Sequence, residues 1–357
     1  MKYLNIFVAP GNPKQGLLNE FGVPVGGTEK VVMECHERLL ENGFESYVID
    51  SVESPYTAEN RILAYSAADG TGEVNQKLAE ICQGFDHIVV HSNFTLPKYL
   101  NKLGIPYTFV DHLMLTPVNK MFYGDFFAET WVKAKELGSR FVTVSEYAKK
   151  WKEEQYQKFN PDFYFDNFFK FQFVTSELAA VEVKAGEGYG TQIARPTKEK
   201  NLNRFATMIG DYKILSNGDP DKAESCDKVM DSILWNRPRE ETMDVLSRAS
   251  YFYATSNLES AGIAPFEALC SGLPVVLHDK GAGHTSYMFA PKGAWYVCRH
   301  DETDKIEKYK TLTLEQRQEI SAEVRDFNHS SRQFADLLCL INAVQNPPKP
   351  SLESFMS

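Results

Sequence analysis

The chain of 357 residues lacks most of the features that would settle its class at once. No uninterrupted apolar run approaches the roughly 18 residues that cross a bilayer, which excludes a membrane-spanning helix. The N-terminus, Met1 to Pro10, is too short in apolar residues for a secretory leader and reads as a first strand. Six cysteines are scattered at 35, 82, 226, 270, 298 and 339 with no CxxC pair and no Cys/His cluster, which argues against a disulfide scaffold or a zinc finger. No HExxH, no Walker A lysine and no Ser-His-Asp order occurs, and no repeat of 20–50 residues is visible. Basic charge is also scarce. The net charge of -10 makes the chain a poor candidate for wrapping nucleic acid without sequence preference, although a local basic groove stays compatible with it. Asn93-Phe94-Thr95 and Asn328-His329-Ser330 fit the N-glycosylation triplet, and both are read as coincidence in a protein expected to be cytoplasmic.

What is present is ordinary globular composition, 43% apolar and 24% charged, in a chain longer than one hydrophobic core usually fills. Two domains follow as the expectation. The opening reads strand, loop, helix, strand. An apolar run near Tyr3–Ala9 is followed by Gly26-Gly27-Thr28-Glu29, then by a helical stripe at Val31, Val32, Cys35, Leu39 and Leu40. Thr28 is placed as the cap of that helix and Gly43 as its end. Ser46–Ile49 reads as the second strand. Further strands are expected at 87–91, 107–112 and 141–145, each with polar residues at its carboxyl end, where open α/β sheets bind ligands. A crowd of aromatics between Phe163 and Phe173 suits core packing better than an exposed binding face. A second strand-helix series follows, with strands at 212–215, 251–254 and 273–277. The organisation expected is an N-terminal Rossmann-like domain over 1–180 and a second over 181–330. A terminal helix over 331–346 would pack back toward the first, and a tail would cover 347–357.

The segment Glu259 to Val276 carries the most chemistry. Glu259 and Glu267 lie eight apart with Gly262 between them, Pro265 suits a first helical turn, and Gly272 suits a helix end. Backbone amides at Gly262 and Ile263 would stand at a helix N-terminus, an anion site, with Glu267 facing inward.

This segment resembles the E-x7-E signature of retaining glycosyltransferases of the GT-B fold, glycosyltransferase family 4 in particular, down to Glu267-Ala268 and Gly272-Leu273-Pro274-Val275. Ser260 and Ala261 stand where that family commonly has a glycine and an aromatic. The resemblance implies two Rossmann-like domains facing across a donor cleft. Glu259 would lie over the donor sugar and Glu267 would take the nucleotide ribose. Arg195 and Lys200, five apart, resemble the family's pair that holds the donor diphosphate. Gly26 and Gly27 resemble its N-terminal glycine loop. His112 stands where the family often has a histidine near the sugar, and Ser145-Glu146 resembles its Ser-Glu at the next strand end. His91, Ser145 and Lys149 are the residues expected on the acceptor side. Trp235-Asn236-Arg237 falls where the family binds the base, and His278–Gly283 replaces its Gly-Gly turn.

The activity implied is transfer of a sugar from a nucleoside diphosphate sugar, UDP-sugar favoured, with retention of configuration. No cofactor and no metal are expected. Two acceptor readings stay open, a saccharide or glycolipid hydroxyl and a hydroxymethylated pyrimidine in DNA as for some phage enzymes, beside a third, non-enzymatic reading, a sugar-nucleotide-binding scaffold. Lys149, Lys150 and Lys152 give residues 101–158 a slight basic excess in an acidic chain, a patch able to meet phosphates or simply a solvated helix face.

Overall fold

A computed structural model of the chain describes residues 1–6, 27–50, 62–64, 72–112, 129–168, 174, 176–208, 210–217, 219–278 and 288–329. Gly26, residues 279–283, and the segments 331–346 and 347–357 lie outside these. The chain forms two compact units that divide between Phe171 and Gln172.

In the first unit the order is β1 (Lys2–Ile6), α1 (Gly27–Glu41), β2 (Glu45–Asp50), β3 (Ile62–Ala64), α2 (Gly72–Cys82), β4 (His87–His91), α3 (Leu96–Lys102) and β5 (Thr108–Asp111). Next come α4 (Trp131–Glu136), β6 (Arg140–Thr143), α5 (Glu146–Tyr156) and β7 (Asn167–Phe168). The strands make one parallel sheet in the order β3-β2-β1-β4-β5-β6-β7. The order turns back between β1 and β4, so the loops after those two strands diverge and leave a crevice at their carboxyl ends. The strands form because they are near-continuous apolar runs, suited to a sheet covered on both faces. Leu4, Ile6, Val90, Phe109 and Phe141 are buried in one core.

Two local expectations change here. Thr28 is the second residue of α1, not its cap, because the helix already includes Gly27. Its end is as read: Gly43 has φ +79°, and Phe44 N donates to Leu39 O at 3.0 Å. Lys152 does not join Lys149 and Lys150 as a surface cation. It is fully buried, donating to the Asp111 carbonyl at 2.8 Å and lying 3.3 Å from its carboxylate. The helix turns it inward because Asp111, at the end of β5, supplies the missing charge. Phe163 and Phe165 pack edge to face, with centroids 5.1 Å apart, and join the core beside Trp131 and Tyr156.

The second unit starts earlier than residue 181, because Leu178 of α6 (Ser176–Ala180) is buried in its core. It continues through β8 (Gly190–Ile193), a 3-10 turn at Leu202–Thr207, β9 (Tyr212–Ser216), β10 (Ile233–Trp235) and α7 (Arg239–Arg248). After these come β11 (Tyr251–Ala254), α8 (Ile263–Cys270), β12 (Val275–Leu277), β13 (Val297–Arg299), α9 (Thr303–Lys310) and α10 (Leu314–Phe327). All neighbours are parallel, in the order β10-β9-β8-β11-β12-β13. The crevice of this sheet lies beyond β8 and β11. Side chains alternate across it. Phe252, Ala254, Val275 and Leu277 enter one core, and Tyr251, Tyr253, Val276 and Cys298 enter the other.

Both glycosylation triplets are closed by structure. Asn93 is buried, and its Oδ1 accepts from the Thr95 and Leu96 amides at 3.1 and 3.0 Å, opening α3. Asn328 is buried and donates to the carbonyls of Phe289 and Val324 at 2.7 and 2.8 Å. No described helix is long and apolar enough to cross a membrane.

Candidate active site

The loops after β8 and β11, at the crevice of the second sheet, carry three of the residues singled out in sequence, and two of them meet. Arg195 and Lys200 lie in the loop after β8, and Glu259 in the loop after β11. Lys200 Nζ forms an ion pair with Glu259 Oε1, which also accepts from Ser256 Oγ at 2.8 Å. The two loops are laced together beneath that pair. Thr255 Oγ1 lies 2.7 Å from Gln192 Oε1 and 2.6 Å from the Lys200 carbonyl. Asn257 N donates to Glu199 O at 2.7 Å, and Arg204 Nη1 to the Thr255 carbonyl at 2.7 Å. Asn201, at φ +44°, turns the first loop back into the 3-10 turn that carries Arg204. These bonds fix a lysine and a carboxylate with about a fifth of each side chain exposed. Arg195 is exposed at the start of its loop, with Glu199 as a neighbouring charge.

Glu267 sits on α8 and is buried. Its Oε1 pairs with Arg239 Nη2 at 2.9 Å. Arg239 is a residue that sequence reading missed. It is the first residue of α7, where a helix dipole favours anions rather than cations. The available signal was an arginine directly ahead of Glu240 and Glu241, two residues after Arg237. The carboxylate of α8 holds it there.

The turn into α8 departs from expectation. Gly262 has φ -81° and ψ 83°, which is no left-handed angle, and Ile263 N donates to Ala261 O at 3.1 Å. This is an inverse γ-turn. The Ile263 amide is therefore engaged within the chain rather than turned outward. Pro265, within the first turn, has no amide to offer. The far end of α8 is held from behind by α10. Cys270 O accepts from Ser321 Oγ at 2.6 Å and Arg325 Nη2 at 2.9 Å. The buried Arg317 donates to Ser247 O at 2.8 Å. Gly272, at φ +76°, passes so close to this helix that an added Cβ would lie 2.5 Å from the Arg317 carbonyl.

In the first unit, the end of β4 and the residue after β5 bring His91 and His112 together, with His91 Nδ1 2.9 Å from His112 Nε2. Both are buried. Burial pushes the His91 imidazole down to about 3. Burial, then His91 and Lys152, holds His112 well below the usual imidazole range. Both are neutral rings at physiological pH. Ser145 caps α5, its Oγ accepting from Ala148 N at 3.0 Å. Lys149 is half-buried on the same helix, and Gly27 is exposed at the start of α1. Among the described residues no group of three His, Cys, Asp or Glu side chains is placed to hold a metal.

Residues 227–326 match the family described as glycosyl transferases group 1. No curated protein sequence matches the chain closely enough to count as a relative. Among solved structures, a trehalose-6-phosphate synthase superposes with a TM-score of 0.60 at 10% identity, covering 97% of this chain and 99% of that one. A sucrose-phosphate synthase from Thermosynechococcus elongatus gives 0.56 at 13%, with 96% of each chain covered. WaaG, a glycosyltransferase involved in lipopolysaccharide biosynthesis, gives 0.57 at 10%, covering 95% of this chain and 99% of that one. The fold is GT-B. The family match lies on the unit that carries Arg239, Glu259 and Glu267.

Proposed function

We propose that this GT-B glycosyltransferase transfers a sugar from a nucleoside diphosphate sugar, a UDP-sugar in the first instance, to a saccharide or glycolipid hydroxyl with retention of configuration. The observation that carries the reading is the pair of ion-paired carboxylates at the carboxyl edge of the second sheet, Glu259 with Lys200 and Glu267 with Arg239. Glu267, held by Arg239, accepts from the ribose hydroxyls. Lys200 and Arg195 take the diphosphate, and Lys200 neutralises the charge that grows on the leaving phosphate as the glycosidic bond breaks. Gly262 brings the backbone close to the donor, and Ile263 follows it into α8. Gly26 and Gly27 are assigned to the same phosphates by the resemblance of their sequence to the family's glycine loop.

Glu259 lies beside the sugar and is not assigned as a covalent nucleophile. The acceptor hydroxyl attacks on the face from which the phosphate leaves, and a phosphate oxygen takes its proton. We assign His112 to the donor sugar and His91, Ser145 and Lys149 to the acceptor side. The protein acts by positioning and charge, so no metal is required.

The saccharide reading is preferred over a DNA base because the burial of Lys152 removes one cation from the run that suggested a phosphate-binding face. The relatives in fold that are named above are sugar-acting enzymes, which supports the same choice. Incubation with a panel of UDP-, GDP- and ADP-sugars, in buffer with a chelator, tests the reading. Slow donor hydrolysis with one nucleotide, unaffected by the chelator, is the expected result. Neither turnover nor binding with any donor would remove the enzyme reading and leave a scaffold. Anomeric proton NMR of the first product tests retention. Binding to duplex DNA that weakens steeply with salt would favour the base-modifying alternative.

A further inference from the structure

A line of polar side chains crosses the crevice of the first sheet, and the reaction above uses only its first two members, His112 and His91. It starts at His112, after β5. His112 Nε2 meets His91 Nδ1 of β4 at 2.9 Å. His91 Nε2 lies 3.4 Å from Asn5 Oδ1 of β1. Asn5 Nδ2 lies 3.4 Å from Ser46 Oγ of β2, and that oxygen lies 3.0 Å from His36 Nδ1 of α1. All five residues are buried. The line therefore runs through the point where the strand order turns back, between β1 and β4.

Buried polar groups have to satisfy one another. A neutral imidazole is a donor at one nitrogen and an acceptor at the other. Burial keeps both His91 and His112 neutral, so each ring passes its direction to the next. Setting one link sets the rest. Asn5 is the member whose two ends differ chemically. Its carbonyl oxygen faces His91 and cannot donate, so His91 carries its proton on Nε2 and keeps a lone pair on Nδ1. His112 then carries its proton on Nε2 and donates it to His91. Its own Nδ1 is left as an acceptor. On the other side the Asn5 amide donates to Ser46, whose hydroxyl donates to His36.

We propose that Asn5 and His91 are positioning residues that hold His112 in its Nε2–H tautomer, so that Nδ1 accepts a hydrogen bond from a sugar hydroxyl. The sugar's place rests on the function proposed above. The tautomer does not. The charged groups around His112 reinforce the arrangement. Lys152 opposes a second proton on the ring, and the Asp111 carboxylate is engaged by Lys152 and by Tyr156 Oη at 2.5 Å. The His112 amide is fixed as well, donating to Ser92 Oγ at 2.9 Å.

The test is two-bond proton–nitrogen correlation NMR on the full chain labelled with 15N-histidine, with resonances assigned from the His91→Phe and His112→Phe variants. In the unsubstituted protein, His91 and His112 are each expected to show a protonated Nε2 and a bare Nδ1. In Asn5→Leu, which keeps the side-chain shape and removes the carbonyl, both tautomers of both rings are expected to appear. A protonated Nδ1 on His112 in the unsubstituted protein, or an unchanged pattern in a folded Asn5→Leu variant, overturns the proposal. The first of these readings needs no variant to fold. In parallel, kcat/KM of Asn5→Leu with the donor found by the panel is expected to fall about tenfold, the size of one hydrogen bond. A switched tautomer with unchanged kcat/KM leaves the relay standing and removes His112 from the reaction.

Discussion

Arg239 Nη2 and Glu267 Oε1 lie 2.9 Å apart and join the first turn of α7 to the middle of α8. The carboxylate is almost wholly buried, while the guanidinium is about one-third exposed. Removing the arginine strips a buried carboxylate of this guanidinium, the costly half of such a pair. Arg239→Ala and Glu267→Ala are each expected to weaken nucleotide binding roughly tenfold to a hundredfold, the range for charged hydrogen bonds. Calorimetric titration with the free nucleotide measures this. Binding at full strength in both variants would show that the ribose site lies elsewhere.

Lys200 and Glu259 form the other pair of the site. Lys200→Ala is expected to lower kcat by about a hundredfold or more, as for other groups aimed at developing charge, with a smaller change in donor affinity. Single-turnover kinetics separates the two. Loss confined to affinity would make Lys200 a binding group only.

The buried histidines make the first unit sensitive to acid. His91 titrates near 3 when folded and near 6.5 when exposed, and the folded values of His87 and His112 are also lowered, in each case chiefly by burial. The unfolded chain therefore binds more protons between these limits. Their contribution to stability is complete above about pH 6.5. It is lost as pH falls through the window toward 3. Each fully shifted ring costs about 1.4 kcal/mol per pH unit. Urea midpoints between pH 7 and 5 should fall, and His91→Phe should flatten the slope. An unchanged slope would mean that the ring is hydrated when folded.

Lys152 and Asp111 are buried together at 3.3 Å. Lys152→Met strips the buried Asp111 carboxylate of its cation, with Tyr156 Oη still donating to it, and is expected to cost roughly 3–5 kcal/mol. The double change Lys152→Met with Asp111→Leu should recover much of that, since a well-packed apolar pair is often no worse than the ion pair. Denaturant melts of the three variants give the coupling. Additive losses would count against a shared buried pair.

The strand-helix rhythm was legible because buried parallel strands are apolar runs, and 87–91 and 251–254 were read at their observed bounds. The edge strands Ile62–Ala64 and Asn167–Phe168 were not, because strands of three and two residues carry too little pattern. Lys200 and Glu259, each singled out by its sequence signature, are brought together by the structure. Arg239 was not singled out, because its partner is 28 positions away and the pair exists only once α7 and α8 pack. Lys152 misled for the same reason in reverse. Three lysines within four residues read as surface until Asp111, 41 positions earlier, turns one of them inward. The histidine chain was invisible as a chain, since its members come from four strands or strand ends and one helix.

Asn93 and Asn328 are closed in the folded chain, one accepting from the Thr95 and Leu96 amides ahead of α3 and the other donating to the Phe289 carbonyl. Before folding, neither is protected. A glycan attached to the nascent chain in a secretory host would sit on a side chain whose native place is buried, and the modified molecule could not complete the core of the unit that carries it. The choice of expression host is thereby a folding decision. Material made by secretion should divide into an unmodified, active fraction and a glycosylated, aggregated one, while synthesis away from the glycosylation machinery avoids the branch altogether.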